Sequence, residues 1–389
     1  MFTRLYADNY RCLSSLEIPL DRLSVFMGAN GSGKSTVLAL FSKLRDFILG
    51  RDSSLNLFPK ETLTRWDRRH EQSFEMTLRL EPGDYLYRLR ISHVPDRDLN
   101  KVIEETLTLD SHPLYQADEK EITVYNDAFS GGLKLMPDWH ASGIARIYQR
   151  DDNRKLMVFR RFLENTLILA LNPALISAVA AEKQPVLTPK PDCSDFAGWL
   201  RNVTAAEGLA RQEAEQSLAK GALPGFRVFQ AVASGDAQIL QCVFQGSPPT
   251  TFRLDELSSG QIALVVLETA LAVAGQKHGA VLLDEPGNFL GLGEVQPLLS
   301  RLQDAALEGR FQAILTAHHP IAVDFLAAGH GKWFARDPSG PTRITPIQVR
   351  DDVREGKPGI RISDLIARGW LSGLGVGQAI PEFAEPGKK

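Results

Sequence analysis

The chain has 389 residues, 43% of them apolar, enough for one large α/β domain or two smaller ones. Its 44 basic and 47 acidic residues leave a formal charge of −3, which argues against a protein that coats nucleic acid non-specifically but leaves room for a local basic patch. Cys12, Cys193 and Cys242 lie far apart without metal-ligand spacing and read as reduced thiols of a cytoplasmic protein.

The opening "MFTRLYADNYRCLSSLEI" holds no apolar signal-peptide core. "RLSVFM" (22–27) is strand-like and runs into a glycine-rich loop. From Ser35 to Leu49 the residues Val37, Leu38, Leu40, Phe41, Leu44, Phe47 and Ile48 recur at helical spacing, and Gly50 closes the helix. Between 72 and 125, "SFEMTLRL", "YLYRLRISHV", "VIEETLTL" and "ITVY" alternate apolar and polar residues, which predicts antiparallel strands on the flank of a main sheet. Residues 154–181 read as helix or buried apolar segments, and a polar, proline-containing stretch (183–194) leads to a helical piece over 195–220. "GFRVFQAV", "AQILQCVF" and "TTFRL" are strand-like. From 255 onward helix alternates with the strands "AVLLDE", "FQAILTA" and "KWFA", the pattern of a parallel sheet with crossover helices. The longest apolar run, "IALVVLETALAVAG", is interrupted by Glu268 and too short to span a bilayer, so it reads as a core helix, with no membrane partner expected. "PEFAEPGKK" reads as a disordered tail.

Three stretches carry chemistry. "GANGSGKS" (Gly28, Ala29, Asn30, Gly31, Ser32, Gly33, Lys34, Ser35) fits the phosphate-loop pattern between a strand and a helix. Its glycines let backbone N–H groups turn toward phosphates, Lys34 offers a charge to the β- and γ-phosphates of ATP, and Ser35 offers a hydroxyl to Mg²⁺. "AVLLDEPGNFLG" is an apolar strand ending in Asp284, suited to the Mg²⁺ shell, and Glu285, suited to orient or deprotonate the attacking water. A strand ending in solvated acids is common, and it is the phosphate loop in the same chain that favours the catalytic reading. "FQAILTAHHP" ends another strand in His318 and His319; strand ends of a parallel sheet face the ligand crevice, but periodicity does not say which imidazole points inward. "LSSGQ" (257–261) is by itself only a capped helix start, with Ser258 or Ser259 as N-cap.

Taken in order, phosphate loop, "LSSGQ", "DE" and "TAHHP" resemble the ATP-binding-cassette ATPases, in the soluble branch of SMC, RecF and OLD-like proteins, over roughly residues 1–345. The resemblance implies an α/β ABC-ATPase head: a parallel phosphate-loop sheet, an antiparallel β flank, and a helical lobe carrying the signature motif. It divides the chain into an N-terminal ATPase lobe (1–145), a helical lobe or insertion with returning strands (146–254), a C-terminal ATPase part (255–345) and a C-terminal extension (346–389). It extends the phosphate loop to Thr36, makes Leu257, Ser258, Ser259, Gly260 and Gln261 the signature acting in trans, aligns His318 with the switch histidine, and sets Arg11 where some relatives contact nucleotide. The implied mechanism is ATP hydrolysis in a homodimer that sandwiches two ATP–Mg²⁺.

The chain departs from the pattern in places. The family's glutamine at a strand end has two candidate counterparts here, Asn172 and Gln149. The aspartate that follows the carboxylates appears as Gly291, which puts tight coupling between the two sites in doubt. No long coiled coil interrupts the head, and Asp351 and Asp352 read as a solvated loop rather than a nuclease centre. Compact members of the branch resemble sensors that hold a separately encoded, often nuclease-like, effector from an adjacent gene in bacterial phage defence. The alternatives are a RecF-like repair ATPase acting on DNA and, less well matched, the nucleotide-binding subunit of a transporter. "RWDRRH" (65–70) and "YQRDDNRKLMVFRR" (148–161) are the candidate basic surfaces, with a solvated charged face as the plainer reading of each.

Overall fold

The computed structural model describes residues 1–95, 97–347 and 361–367, so the expectations for Asp351, Asp352 and the "PEFAEPGKK" tail lie outside it. At its centre is a six-stranded sheet in the order 167–169, 280–283, 312–316, 23–28, 331–336, 342–346. The first five strands run parallel, and Thr342–Pro346 returns antiparallel along the edge. The inner strands 23–28, 280–283 and 312–316 are largely apolar because both faces are covered, with Ser24, Gln312 and Thr316 as buried polar exceptions. Val25, Met27, Val281, Leu283, Ala313 and Leu315 pack into one core, while Phe26, Leu282 and Ile314 pack into the other.

The second of these cores contains the helix Lys34–Ile48, whose apolar stripe is buried as its spacing predicts. Beyond it lies an eight-stranded antiparallel sheet in the order 16–19, 2–8, 71–80, 83–93, 100–109, 112–118, 122–124, 133–135. The strands read from 72 onward are all present in it. Phe2–Asp8 has no clean period-two signature, and the reason is a register shift between Phe2 and Arg4 that spaces its buried residues Phe2, Leu5 and Ala7 unevenly.

The first core surrounds the helix Ser259–Lys277, buried continuously from Ile262 to Gly275. Glu268, the acid that interrupts the apolar run, is only 3% exposed. It accepts hydrogen bonds from Ser217 and Arg301, and burial raises its pKa while Arg301 opposes the rise. Among the described residues this is the one helix long and apolar enough to cross a membrane, and it lies inside the protein.

The segment 154–181 is more divided than its apolar content suggests. A helix covers Arg154–Glu164 only, and Leu167–Leu169 is a strand pairing with Ala280–Leu283 in the central sheet. A short apolar run reads the same as buried helix or parallel strand, and only the neighbouring strand decides. The helical piece over 195–220 is two helices, Phe196–Ala206 and Gly208–Ser217, broken at Glu207. A third sheet, built on the hairpin 226–234/237–244 with 250–253 and 179–180 along one side, covers the same core.

Candidate functional site

Strands 23–28, 280–283 and 312–316 run parallel, so their C-terminal ends deliver the phosphate loop, the two acids and the histidine to one edge of the sheet. The loop takes backbone conformations that need glycine. Gly28 sits at φ 142°, and a Cβ there would lie 2.1 Å from the carbonyl oxygen of Phe334. Gly33 sits at φ 106°, and its Cβ would meet Thr342 Oγ1 at 2.6 Å. The loop is therefore pressed against strands 331–336 and 342–346. Lys34 is buried, and its Nζ donates to the carbonyls of Gly28 (2.8 Å) and Ala29 (2.9 Å). Burial pulls its pKa below the ordinary lysine range, while Glu285 and Asp284 oppose the shift.

Ser35 opens the helix, and its Oγ donates to Asp284 Oδ1 at 3.0 Å. Thr316 Oγ1 donates to the same oxygen at 2.6 Å and accepts from the backbone N–H of Glu285 at 2.9 Å. One buried hydroxyl thus orients both acids, with Glu285 in a left-handed conformation, φ 52°. Glu285 Oε1 lies 3.0 Å from His318 Nε2. Burial and the Lys34 charge lower the His318 pKa, against Glu285 and Asp284. The ambiguity between the two histidines is resolved: His319 caps the helix Pro320–His330, its Nδ1 accepting from Ile321 N, and His318 faces the carboxylate.

A magnesium ion that arrives on nucleotide phosphates requires one or two protein oxygens rather than a full cage. Ser35 Oγ and Asp284 Oδ1, converging beside the lysine, fit that requirement. The glycine turns with no room for a Cβ and the buried cation fit a phosphate chain.

These groups line a cleft of about 660 Å³. Asn30, Gly31, Gly33, Lys34, Ser35, Thr36, Glu285 and His318 contribute to its wall, and so does Arg11, whose backbone N–H donates to Thr62 O at 2.7 Å. Ser32 is buried beneath it, its carbonyl accepting from Thr342 Oγ1. Leu257, Ser258, Ser259, Gly260 and Gln261 are not among the lining residues. Ser258 caps the helix Ser259–Lys277 in a capping box with Gln261, Ser258 and Ser259 are exposed, and Leu257 is buried. Gly260 packs on the segment after the acids, where its Cβ would be 2.9 Å from Phe289 O. Neither Asn172, which caps the turn Pro173–Leu175, nor the exposed Gln149 lines the cleft. Gly291 is the N-cap of the helix Leu292–Leu307.

Sequence reasoning missed Thr316, whose role needs the register of two strands. It also missed Glu61, Leu63, Arg65, Trp66 and Arg336, which complete the cleft wall. The stretch "RWDRRH", read as a surface, is folded onto the cleft by Asn9: its Nδ2 donates to Arg69 O and Glu71 O, and its Oδ1 accepts from Thr64 N. Gln72 reinforces this, its Nε2 donating to Asn9 O and Thr62 O.

Replacing Thr316 by valine removes the hydroxyl, leaves the Glu285 N–H without its acceptor and leaves Asp284 Oδ1 with Ser35 Oγ as its remaining donor. Thr316→Val is expected to lower the unfolding free energy by about 1–3 kcal/mol, read from urea denaturation.

Comparison with known proteins agrees with this geometry. A family model described as an AAA ATPase domain matches residues 1–125, which contain the phosphate loop. The solved Smc head bound to the C-terminal winged-helix domain of ScpA superposes with a TM-score of 0.56 at 13% identity, covering 90% of this chain and 98% of that one. The Smc head with an extended coiled coil, bound to the C-terminal domain of ScpA derived from Pyrococcus furiosus, gives a TM-score of 0.57 at 11% identity, covering 92% and 98%. The chain has the SMC-head fold, and its N-terminal segment matches an ATPase domain. No curated protein matches it in sequence. The matched family segment ends in the antiparallel sheet, so the acids, the histidine and the "LSSGQ" helix all lie beyond residue 125.

Proposed function

We propose that this ATPase is a molecular switch that closes head-to-head around two ATP–Mg²⁺ and opens on hydrolysis. In this reading the loop from Gly28 to Thr36 cradles the phosphates and Lys34 neutralises their charge. Ser35 and Asp284 would hold the metal, which supplies charge neutralisation to the β- and γ-phosphates when bound. Glu285 orients and deprotonates the attacking water, His318 keeps Glu285 in place and reaches the γ-phosphate, and Arg11 contacts the nucleotide. The observation that carries the dimer is the placement of the signature: an exposed, capped N-terminus of a 19-residue helix that takes no part in its own chain's cleft. Such an end presents N–H groups and a positive dipole to an anion, and a partner copy supplies one.

The test is Ser259→Arg. This variant is expected to bind ATP like the wild type and to lose ATP-driven dimerisation, read by light scattering. Dimerisation at the wild-type level refutes the sandwich.

We further propose a cytoplasmic role in which the switch controls a separately encoded, nuclease-like protein effector, as in phage defence, rather than acting on DNA itself. What favours this over a RecF-like role is that part of the charge of the candidate basic stretches is paired within the chain. Arg69 is bound to Asp8 and Asp67, Arg150 to Asp152 and Arg154 to Asp151. Pull-down from the native host is expected to recover the effector; an ATPase rate stimulated by DNA, with binding that falls steeply with salt, supports the RecF-like role instead.

A further inference from the structure

Past the phosphate loop the cleft continues into a compartment walled by Glu61, Arg65, Trp66 and Arg336, which none of the motifs supplies. We propose that Trp66 is the base-stacking wall of this compartment, and that it makes the site favour purine over pyrimidine nucleoside triphosphates. The inference rests on the phosphate-loop reading above.

Trp199, Tyr85 and Phe26 are fully buried, whereas Trp66, like Trp139 and Tyr148, is exposed, at 41%. Its indole is not loose. The Arg336 guanidinium lies 5.5 Å from the ring centroid, within cation–π range. Arg336 is itself tied down, donating to the carbonyls of Gly340 (3.0 Å), Gly31 (3.3 Å) and Pro338 (3.4 Å). Because Gly31 belongs to the phosphate loop, one arginine braces the ring against the loop. The backbone carrying Trp66 is fastened from below by Asn9 and Gln72. A nucleotide whose phosphates lie on the loop must place its base in the same cleft, and the indole is the one large aromatic surface lining it among the described residues.

Stacking reads the area of a base rather than its edge, so a two-ring base gains more than a one-ring base.

The experiment is calorimetric titration of the full chain with ATP, GTP and CTP in the presence of Mg²⁺, for the wild type, Trp66→Ala, Trp66→Phe and Lys34→Ala. The wild type is expected to bind ATP and GTP each about tenfold more tightly than CTP. Trp66→Ala should weaken ATP and GTP about tenfold and leave CTP nearly unchanged, erasing the purine preference, and Trp66→Phe should restore most of it. Equal weakening of all three nucleotides by Trp66→Ala, or no weakening, overturns the stacking role. Lys34→Ala separates the two readings. If it keeps all three nucleotides, the phosphate-loop reading fails; if it loses all three, that reading stands whatever Trp66 does.

Discussion

Glu285→Gln is expected to lower kcat for ATP hydrolysis by about 10²–10⁴ while nucleotide stays bound. The substitution keeps the shape of the side chain and removes the group that accepts the proton of the attacking water. The surroundings survive it. The Glu285 N–H still reaches Thr316 Oγ1, and Asp284 still receives Ser35 and Thr316, because none of these bonds uses the Glu285 carboxylate. Only the contact with His318 changes in chemistry, from carboxylate to amide oxygen. The variant should therefore fold normally and accumulate a nucleotide-bound dimer, measured by light scattering and by single-turnover release of phosphate. Hydrolysis at the wild-type rate would show that another group is the base.

Lys34→Ala acts one step earlier and is expected to weaken ATP binding by at least about 100-fold. The ammonium is held between the carbonyls of Gly28 and Ala29, already inside the loop and aimed along it. Charged hydrogen bonds contribute about 1.5–3 kcal/mol each, so losing those to two phosphate groups exceeds about 3 kcal/mol. Burial pulls the lysine's pKa down, while Glu285 and Asp284 resist the shift. Titration of ATP into the variant, with circular dichroism as the control for folding, checks the expectation. Binding within tenfold of the wild type would remove Lys34 from its assigned role.

The phosphate loop was legible in the sequence because each of its requirements is local. The glycines at 28 and 33 answer to their own backbone angles, and the lysine and serine follow in a helix whose stripe of apolar residues is itself local. The parallel strands Ala280–Leu283 and Gln312–Thr316 were legible from their apolar centres taken with the helices that alternate with them, the pattern of a parallel sheet. Less was visible where a residue's meaning depends on a neighbour distant in the chain. Leu167–Leu169 becomes a strand only because Ala280–Leu283 offers it hydrogen bonds. Phe2–Asp8 hides its alternation behind a shift in register against its partner.

By itself, then, the sequence determined the chemistry of the motifs and the order of helices and strands, since turn geometry, capping and apolar periodicity act over a few residues. The tertiary structure alone decided which groups meet. It chose His318 over His319, because His319 is used as a helix cap while His318 reaches Glu285. It brought Thr316 between the two acids through the register of adjacent parallel strands. It also turned "RWDRRH" from a charged surface into a wall of the cleft, through the bonds of Asn9 and Gln72. Those contacts depend on long loops closing over the sheet, and no pattern within a short window records which loop will close on which strand.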